Sequence, residues 1–292
     1  MTTDVHHETP IECELKLSGS RAALRKAETA LNRIIGKRIE WRTDRLLTSY
    51  YDTSDRRLSK RGVALRVRKK GRTITQTVKA KAVKSSAMSQ RPEWNVEVSS
   101  ARPDISVLPS AARKRVGLVL PNELKKLFTV DVERKKADIE LAGRDGAEPT
   151  IVEIALDRGE VKAGRKSADM TELEIELVSG DPAAIFDLAI QLADTGLSIN
   201  QVTKAETGYR LIDGTVNPEP VRLSKFKLDP AHSANHVIAE IFSAGLSNVL
   251  DNEAATRDGS DPEGVHQMRV SLRRMRSAFS VFGRLIDKER CR

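Results

Sequence analysis

Strict alternation near the start of the chain limits what it can fold into. In Ile11-Glu12-Cys13-Glu14-Leu15-Lys16-Leu17 the odd positions are apolar and the even ones charged. This pattern predicts a β-strand with one buried face. Alternate residues share a face and lie about 7 Å apart, so two carboxylates and an ammonium stand in a row. Such a row can grip a divalent cation and meet a phosphate, or it is an ordinary solvated stripe. One strand does not choose between these readings, but the pattern recurs. Arg66 and Arg68 oppose Leu65 and Val67. Thr75, Thr77, Lys79 and Lys81 oppose Ile74, Val78 and Ala80. Glu93, Asn95 and Glu97 oppose Trp94, Val96 and Val98, and Glu153 and Asp157 oppose Val152, Ile154 and Leu156. Glu172, Glu174 and Glu176 oppose Leu173, Ile175 and Leu177.

Many alternating strands joined by hairpins predict an antiparallel sheet closing into a barrel. An ordinary barrel is apolar inside and charged outside. The inverted alternative packs its apolar faces outward and lines a tunnel with charge. Two features favour inversion. Amphipathic helices at 20–35 (Leu24, Ala27, Leu31, Ile34, ended by Gly36) and from Asp181-Pro182 to Gly196 need an apolar surface to cover. The charges are also segregated by strand, basic on 63–81 and acidic on 11–17 and 171–178, whereas a solvated face more often mixes signs. Further strands are expected at 46–52, 63–69, 73–81, 93–98, 128–139, 150–157 and 171–178. Residues 82–92 read as a polar loop, and 99–127 as irregular and then helical.

Net charge is +9, and residues 55–81 hold eleven Lys/Arg against the single acid Asp55. An anionic partner fits this balance. The 4% aromatic content speaks against a base-stacking surface, so no specific nucleic acid is expected. Two cysteines, Cys13 and Cys291, make no disulfide framework or Cys-rich zinc site. Met1–Pro10 lacks a signal-peptide core, and no apolar run approaches a membrane span, which points to the cytoplasm. Walker, HExxH and Gly-x-Ser-x-Gly motifs are missing from the sequence.

Pro218, Pro220 and Pro230 mark a linker at 213–230 between a first domain (1–212) and a helical one (231–292). One helix is expected at 231–251. The next carries Val265, Met268, Leu272, Met275, Phe279, Phe282 and Ile286 at steps of three and four, a bundle seam. A seam needs partner helices, so this second domain is expected to be incomplete. The fold class is α+β: an eight-stranded antiparallel β-tunnel with flanking helices, then part of an α-helical bundle.

The ordered motifs resemble the CYTH superfamily, the triphosphate tunnel metalloenzymes. Glu12-x-Glu14-x-Lys16 looks like its ExExK signature. Tyr50-Tyr51-Asp52-Thr53, Gly62-Val63-Ala64-Leu65-Arg66-Val67-Arg68, Thr77-Val78-Lys79 and Gln90-Arg91-Pro92-Glu93-Trp94 follow in order. Ile154-Ala155-Leu156-Asp157-Arg158-Gly159, Glu172–Leu177 and Lys204-Ala205-Glu206-Thr207-Gly208-Tyr209 complete the set over about residues 8–212. The wording is most similar to bacterial inorganic triphosphatases of the superfamily. The resemblance implies phosphate binding by Lys16, Arg66, Arg68 and Lys79, with Lys81 and Lys204 as helpers. It implies Mg2+ or Mn2+ on Glu12, Glu14, Glu174 and Glu176, oxygen donors that suit these ions. Glu93 and Asp157 would lie near the same site, so Glu12, Glu14, Glu93 and Asp157 are the expected catalytic carboxylates.

Arg134 and Lys136 correspond to the family's basic positions on the strand at 128–140. Because Val130 and Val132 share their parity, a phase change such as a bulge is expected there. Glu97 matches no family position, and an external ion pair suits it as well. The expected reaction is metal-dependent hydrolysis of inorganic triphosphate or short polyphosphate. A non-catalytic polyphosphate binder, an adenylate cyclase and a thiamine triphosphatase remain alternatives. Val265-His266-Gln267-Met268-Arg269-Val270 and Leu272-Arg273-Arg274-Met275-Arg276 resemble the first helix of a CHAD domain. That implies polyphosphate binding by His266, Arg269, Arg273 and Arg276, against the plainer reading of a solvated basic face.

Overall fold

Ser20 starts the first helix by accepting the Ala23 N–H, and Gly36 ends it at φ 72°, a left-handed conformation that favours glycine. This helix, α1 (Arg21–Ile35), follows strand β1 (Ile11–Ser18). A computed structural model describes residues 11–81, 83–84, 88–143, 146–215, 219–223 and 229–285. Ile286, Cys291, His6 and His7 lie outside the described residues, as do parts of segments 82–92, 143–146 and 213–230. Contacts divide the chain into two units, residues 1–83 with 89–214 and residues 84–88 with 215–292.

In the first unit β2 (Arg42–Asp52) and the short α2 (Arg57–Lys60) follow α1. β3 (Ala64–Lys70) and β4 (Thr73–Lys79) form the expected hairpin, with Gly71 at φ 57° in the turn. Then come β5 (Val83–Lys84), β6 (Ser89–Glu97) and α3 (Ser110–Val116). β7 (Lys125–Leu141), β8 (Thr150–Ala163) and β9 (Lys166–Ser179) are long. α4 (Ala183–Gln191), with Asp181 accepting the Ala183 N–H, β10 (Ser198–Ile199) and α5 (Lys204–Asp213) end the unit. Around the barrel the order is β1-β9-β8-β7-β2-β3-β4-β6, and β6 pairs back onto β1, with antiparallel neighbours throughout. Eight strands are therefore closed into an antiparallel barrel flanked by helices. β6 begins at Ser89, so the expected loop at 82–92 gives way to strand. β7, β8 and β9 also outrun their expected spans, and the alternation did not reveal α2, β10 or α5.

The barrel is inverted. Leu15, Leu17, Val152, Ile154, Leu156, Leu173 and Ile175 are buried on its outer face, and α1 and α4 lie against β9. A second outer cluster packs Leu65, Val67, Val78 and Trp94 with Leu58, Leu108, Ala112 and Val116 from the α2 and α3 regions. Each such aliphatic side chain contributes roughly 1.5–3 kcal/mol through burial. The opposite faces turn inward, so Glu14 (2% exposed), Lys16 (9%), Arg66 (8%) and Asp157 (0%) are buried inside.

The bulge expected before Arg134 is not there. β7 runs in unbroken register against β8 from Thr129 to Leu141, and the shift against β2 falls at Tyr50/Tyr51. Val130, Val132 and Arg134 share a face because the interior itself changes character along its length. Beyond the charged section Leu46, Tyr50, Phe128, Val130, Val132, Val161, Ala163 and Met170 form an apolar cluster, against which Ala205, Tyr209 and Ile212 of α5 pack. Tyr50 stacks on Phe128 at 4.7 Å, and Tyr209 meets Phe128 edge-on at 5.4 Å. Helix α5 stoppers that end. Asp52 ties it to α2, accepting the Leu58 and Ser59 N–H groups and the Tyr209 hydroxyl at 2.8 Å.

A β-carbon at Gly208 would lie 2.2–2.5 Å from Phe128 ring atoms. Gly208→Ala is expected to destabilise the protein by about 1–3 kcal/mol through overpacking. A free helical site would instead gain about 1 kcal/mol from the same change. Denaturant unfolding separates the two signs, and a gain would show that α5 does not seat on Phe128.

In the second unit α6 (Ala234–Asp258), capped by Ser233, pairs with α7 (Glu263–Phe282). α6 runs seven residues past its expected end. The face of α7 that is buried differs in part from the expected seam. Gly264, Gln267, Ser271 and Ala278 are buried and Val265 and Leu272 stay exposed, while Met268, Met275 and Phe279 of the expected seam do meet α6, at Thr256, Gly245 and Phe242. Small and polar residues let the helices approach closely: a β-carbon at Gly245 would meet Met275 at 2.6 Å, and Ser271 Oγ donates to Asn248 Oδ1. Asn248 and Asn252 both donate to the Val221 carbonyl at 2.8 Å, so part of the proline-rich segment is pinned to α6.

Candidate active site

Register places the charged side chains. Lys16 faces Glu174 and Glu14 faces Glu176 across β1–β9, Lys79 faces Glu93 across β4–β6, and Arg134 faces Asp157 across β7–β8. The inward faces surround a cavity of about 700 Å³ lined by Glu12, Glu14, Glu176, Arg66, Arg68, Lys79 and Lys136, among others. Glu93, Glu153, Arg134 and Glu174 reach it as well.

On one wall Glu12 accepts from Lys79 Nζ at 2.6 Å and Arg91 Nε at 2.9 Å, and Arg91 also holds Glu14. Burial, then Glu12 and Glu14, push the Glu176 carboxyl up to about 7. Three carboxylates thus crowd together, and among the described residues Glu176 has no cation within ion-pair distance. Burial would raise Glu93 too, but Lys79 at 2.5 Å and Arg66 at 3.5 Å outweigh it and bring its carboxyl down to about 2. Across the cavity, burial followed by Arg66 and Arg134 drives the Arg68 guanidinium down to about 10. Among the described residues Arg68 has no carboxylate partner, only Thr48 Oγ1 at 3.2 Å. The buried Arg66 Nε likewise lacks a hydrogen-bond partner. Lys136 pairs with Glu153.

A deeper layer is electrically saturated. Lys204 Nζ sits 2.6 Å from Glu172, 2.6 Å from Glu174 and 3.1 Å from Asp157. Arg134 donates to Asp157 at 2.7 and 2.6 Å and to Glu174 at 2.6 Å. Burial alone would raise the Glu174 carboxyl, but Lys204, Arg134 and Lys16 hold it well below the usual range. Asp157, Glu172 and Glu174 are close enough to hold a metal ion, but the Lys204 ammonium already contacts all three.

The structure gathers Glu12, Glu14, Glu93, Glu174, Glu176, Arg66, Arg68, Lys79, Arg134 and Lys136 around one space. Arg134 faces inward. Asp157, Lys16 and Lys204 do not line the cavity but lie behind its wall, where their charges are paired. Lys81 departs from expectation: β4 ends at Lys79, and Lys81 is exposed and outside the cavity. Glu97 is exposed opposite Thr75. His266, Arg269, Arg273 and Arg276 are exposed on α7. Arg91 and Glu172 were missed as site residues. Arg91 shares its parity with Glu93, but Pro92 and the serines before it read as loop.

Residues 10–209 match the CYTH domain, more than half of the chain, and the chain belongs to the CYTH family of metal-dependent proteins. Residues 240–292 match the CHAD domain. An inorganic triphosphatase of Haemophilus influenzae is 29% identical over 169 residues, 56% of this chain and 45% of that enzyme. The chain thus spans about half the length of this curated relative. Among solved structures, an assigned adenylyl cyclase from Hippeastrum with a dominant triphosphatase activity aligns at TM-score 0.49 and 18% identity, over 76% of this chain and 100% of that one. An assigned adenylate cyclase from Bacillus halodurans aligns at TM-score 0.43 and 18% identity, over 66% and 93%. No described helix is long and apolar enough to cross a membrane.

Proposed function

We propose that the cavity hydrolyses inorganic triphosphate, or short polyphosphate, to pyrophosphate and phosphate with a divalent cation. The observation that carries this reading is paired electrostatic frustration. Arg68 is pressed by Arg66 and Arg134 on one wall, and Glu176 by Glu12 and Glu14 on the other, and among the described residues neither has an opposite charge in ion-pair contact. Their neighbours Arg66, Arg134, Glu12 and Glu14 are ion-paired within the fold, so the uncompensated charge rests on Arg68 and Glu176. A phosphate chain relieves the first and a divalent cation the second. The likeness to an inorganic triphosphatase supports the same reading. Among the described residues no aromatic ring lines the cavity, and those residues offer no stacking surface for a base or thiazolium.

Arg66 and Arg68 would grip phosphate oxygens through their planar forks, with Lys79, Arg134 and Lys136 as further positive charge. Glu93 pairs with Lys79 and Arg66 and so would keep both aimed inward. Glu12, Glu14 and Glu176 would hold the cation as hard oxygen donors suited to Mg2+ or Mn2+. Glu174 would join them only by releasing Arg134 or Lys204. The bound ion would neutralise phosphate oxygens and favour ionisation of the attacking water. In the reaction water adds to a terminal phosphorus, one P–O–P bond breaks and pyrophosphate leaves. Asp157, Lys16 and Lys204 act through their neighbours as positioning residues. The helical unit, with His266, Arg269, Arg273 and Arg276 exposed, would bind polyphosphate, with residues 213–230 as the connection.

Phosphate release from triphosphate, long polyphosphate, ATP and thiamine triphosphate, each with Mg2+, Mn2+ or chelator, tests the reading. Release is expected to be fastest from triphosphate and to vanish with chelator. Tight triphosphate binding without release under any metal would replace hydrolysis by a binding role. Cyclic AMP from ATP would replace it by cyclase activity.

A further inference from the structure

The second unit carries another convergence of ligand-type side chains, built by residues unrelated to the barrel. His232, His236 and Glu240 are spaced at four and four. Ser233 caps α6, and its Oγ accepts the His236 N–H at 3.3 Å. His232 stands just before this cap, held by its own N–H donating to the Asp229 carbonyl at 3.0 Å. The bend before the helix, although Ser233 itself is extended, brings the His232 side chain beside those of His236 and Glu240.

Glu240 Oε1 lies 3.3 Å from His236 Nε2 and 3.8 Å from His232 Nδ1, and the imidazole rings sit 4.1 Å apart at 63°. One ligand atom from each residue lies within 4.8 Å of the other two. An ion bonding nitrogen and oxygen at about 2.0–2.2 Å separates its ligands by similar distances. Among the described residues Glu240 has no lysine or arginine in ion-pair contact, and its neighbours at that range are His232 and His236. All three side chains are partly exposed, which leaves room for water in the remaining coordination positions.

We infer that His232, His236 and Glu240 form a surface site for one transition-metal ion of the zinc, nickel or copper class. Two imidazoles and a carboxylate select these ions over magnesium, whose ligands are oxygens. The inference goes beyond the triphosphatase reading and stands whether or not the barrel hydrolyses anything. A bound ion would staple the segment before α6 to the first turns of that helix.

Calorimetric titration of the untagged full chain with Zn2+ tests it. His236→Ala is expected to remove one equivalent of bound Zn2+, and His232→Ala to weaken that equivalent about tenfold or more. His6→Ala/His7→Ala is expected to leave it unchanged. With one equivalent of Cu2+, electron paramagnetic resonance is expected to show two nitrogen ligands. His232 and His236 are both exposed, and far-UV circular dichroism checks that the variants fold. Unaltered Zn2+ binding in His232→Ala/His236→Ala, or loss of the equivalent in His6→Ala/His7→Ala, would overturn the site.

Discussion

Lys204→Met is expected to lower the unfolding free energy by about 3–5 kcal/mol near neutral pH, the range for removing one partner of a buried ion cluster. The ammonium is buried and touches Glu172, Glu174 and Asp157. Burial lowers its pKa, but these three carboxylates together raise it well above the usual lysine range. Methionine fills the volume, so the loss reports charge rather than a cavity. Without the ammonium the three carboxylates keep only Arg134 and Lys16 as counter-charges. Lys204 is the strongest of the charges that hold the Asp157 and Glu174 carboxyls below their usual range, so its removal raises their folded-state pKa values. The penalty is therefore full above those raised values and fades as the carboxylates protonate with falling pH. Urea unfolding at about pH 8 and about pH 5 measures both the size and the sign. A loss that is equal at the two pH values, or absent, would mean that the layer is held by packing and not by paired charge.

Arg68→Ala is expected to reduce kcat/KM for triphosphate about 100- to 1,000-fold, the effect of removing one preorganised electrostatic contact to the reacting group. Stability should hold or rise, because Arg68 is pressed by Arg66 and Arg134 and has no carboxylate partner among the described residues. Arg68→Lys should recover only part of the loss, since an ammonium cannot reproduce the planar fork. The split between activity and stability is the diagnostic. A matching fall in both would make Arg68 a structural residue, and unchanged kcat/KM would remove it from the phosphate site. Such opposed effects are common where a site is strained for its ligand.

Alternation made the barrel and much of the site legible, because a period of two assigns every other side chain to one face. Glu12, Glu14, Lys79, Glu174 and Glu176 could be listed from that rule and the family resemblance together. The rule failed where the period carried no contrast. β7 runs from Val130 through Arg134 on a single face, and nothing local says that the interior turns from apolar to charged. Arg91 stayed hidden behind Pro92 and a serine-rich approach, although it is the guanidinium that joins Glu12 to Glu14. On α7 the apolar stripe gave only part of the seam: Met268, Met275 and Phe279 do meet α6, but Gly264 and Ser271, small residues outside the stripe, share the contact and permit close approach.

The chain by itself determined which residues could share a face, which signs of charge belonged to which strand, and that helices would need an apolar surface to cover. Only closure of the β1–β6 seam decided that the charged faces share one enclosure. Closure also sorted them into a set lining the cavity, where Arg68 and Glu176 lack an opposite charge among the described residues, and a deeper set neutralised by Lys204 and Arg134. The physical reason is range. Periodicity is a property of neighbours in sequence, whereas the balance of buried charge depends on groups that meet within a few ångströms from strands far apart along the chain.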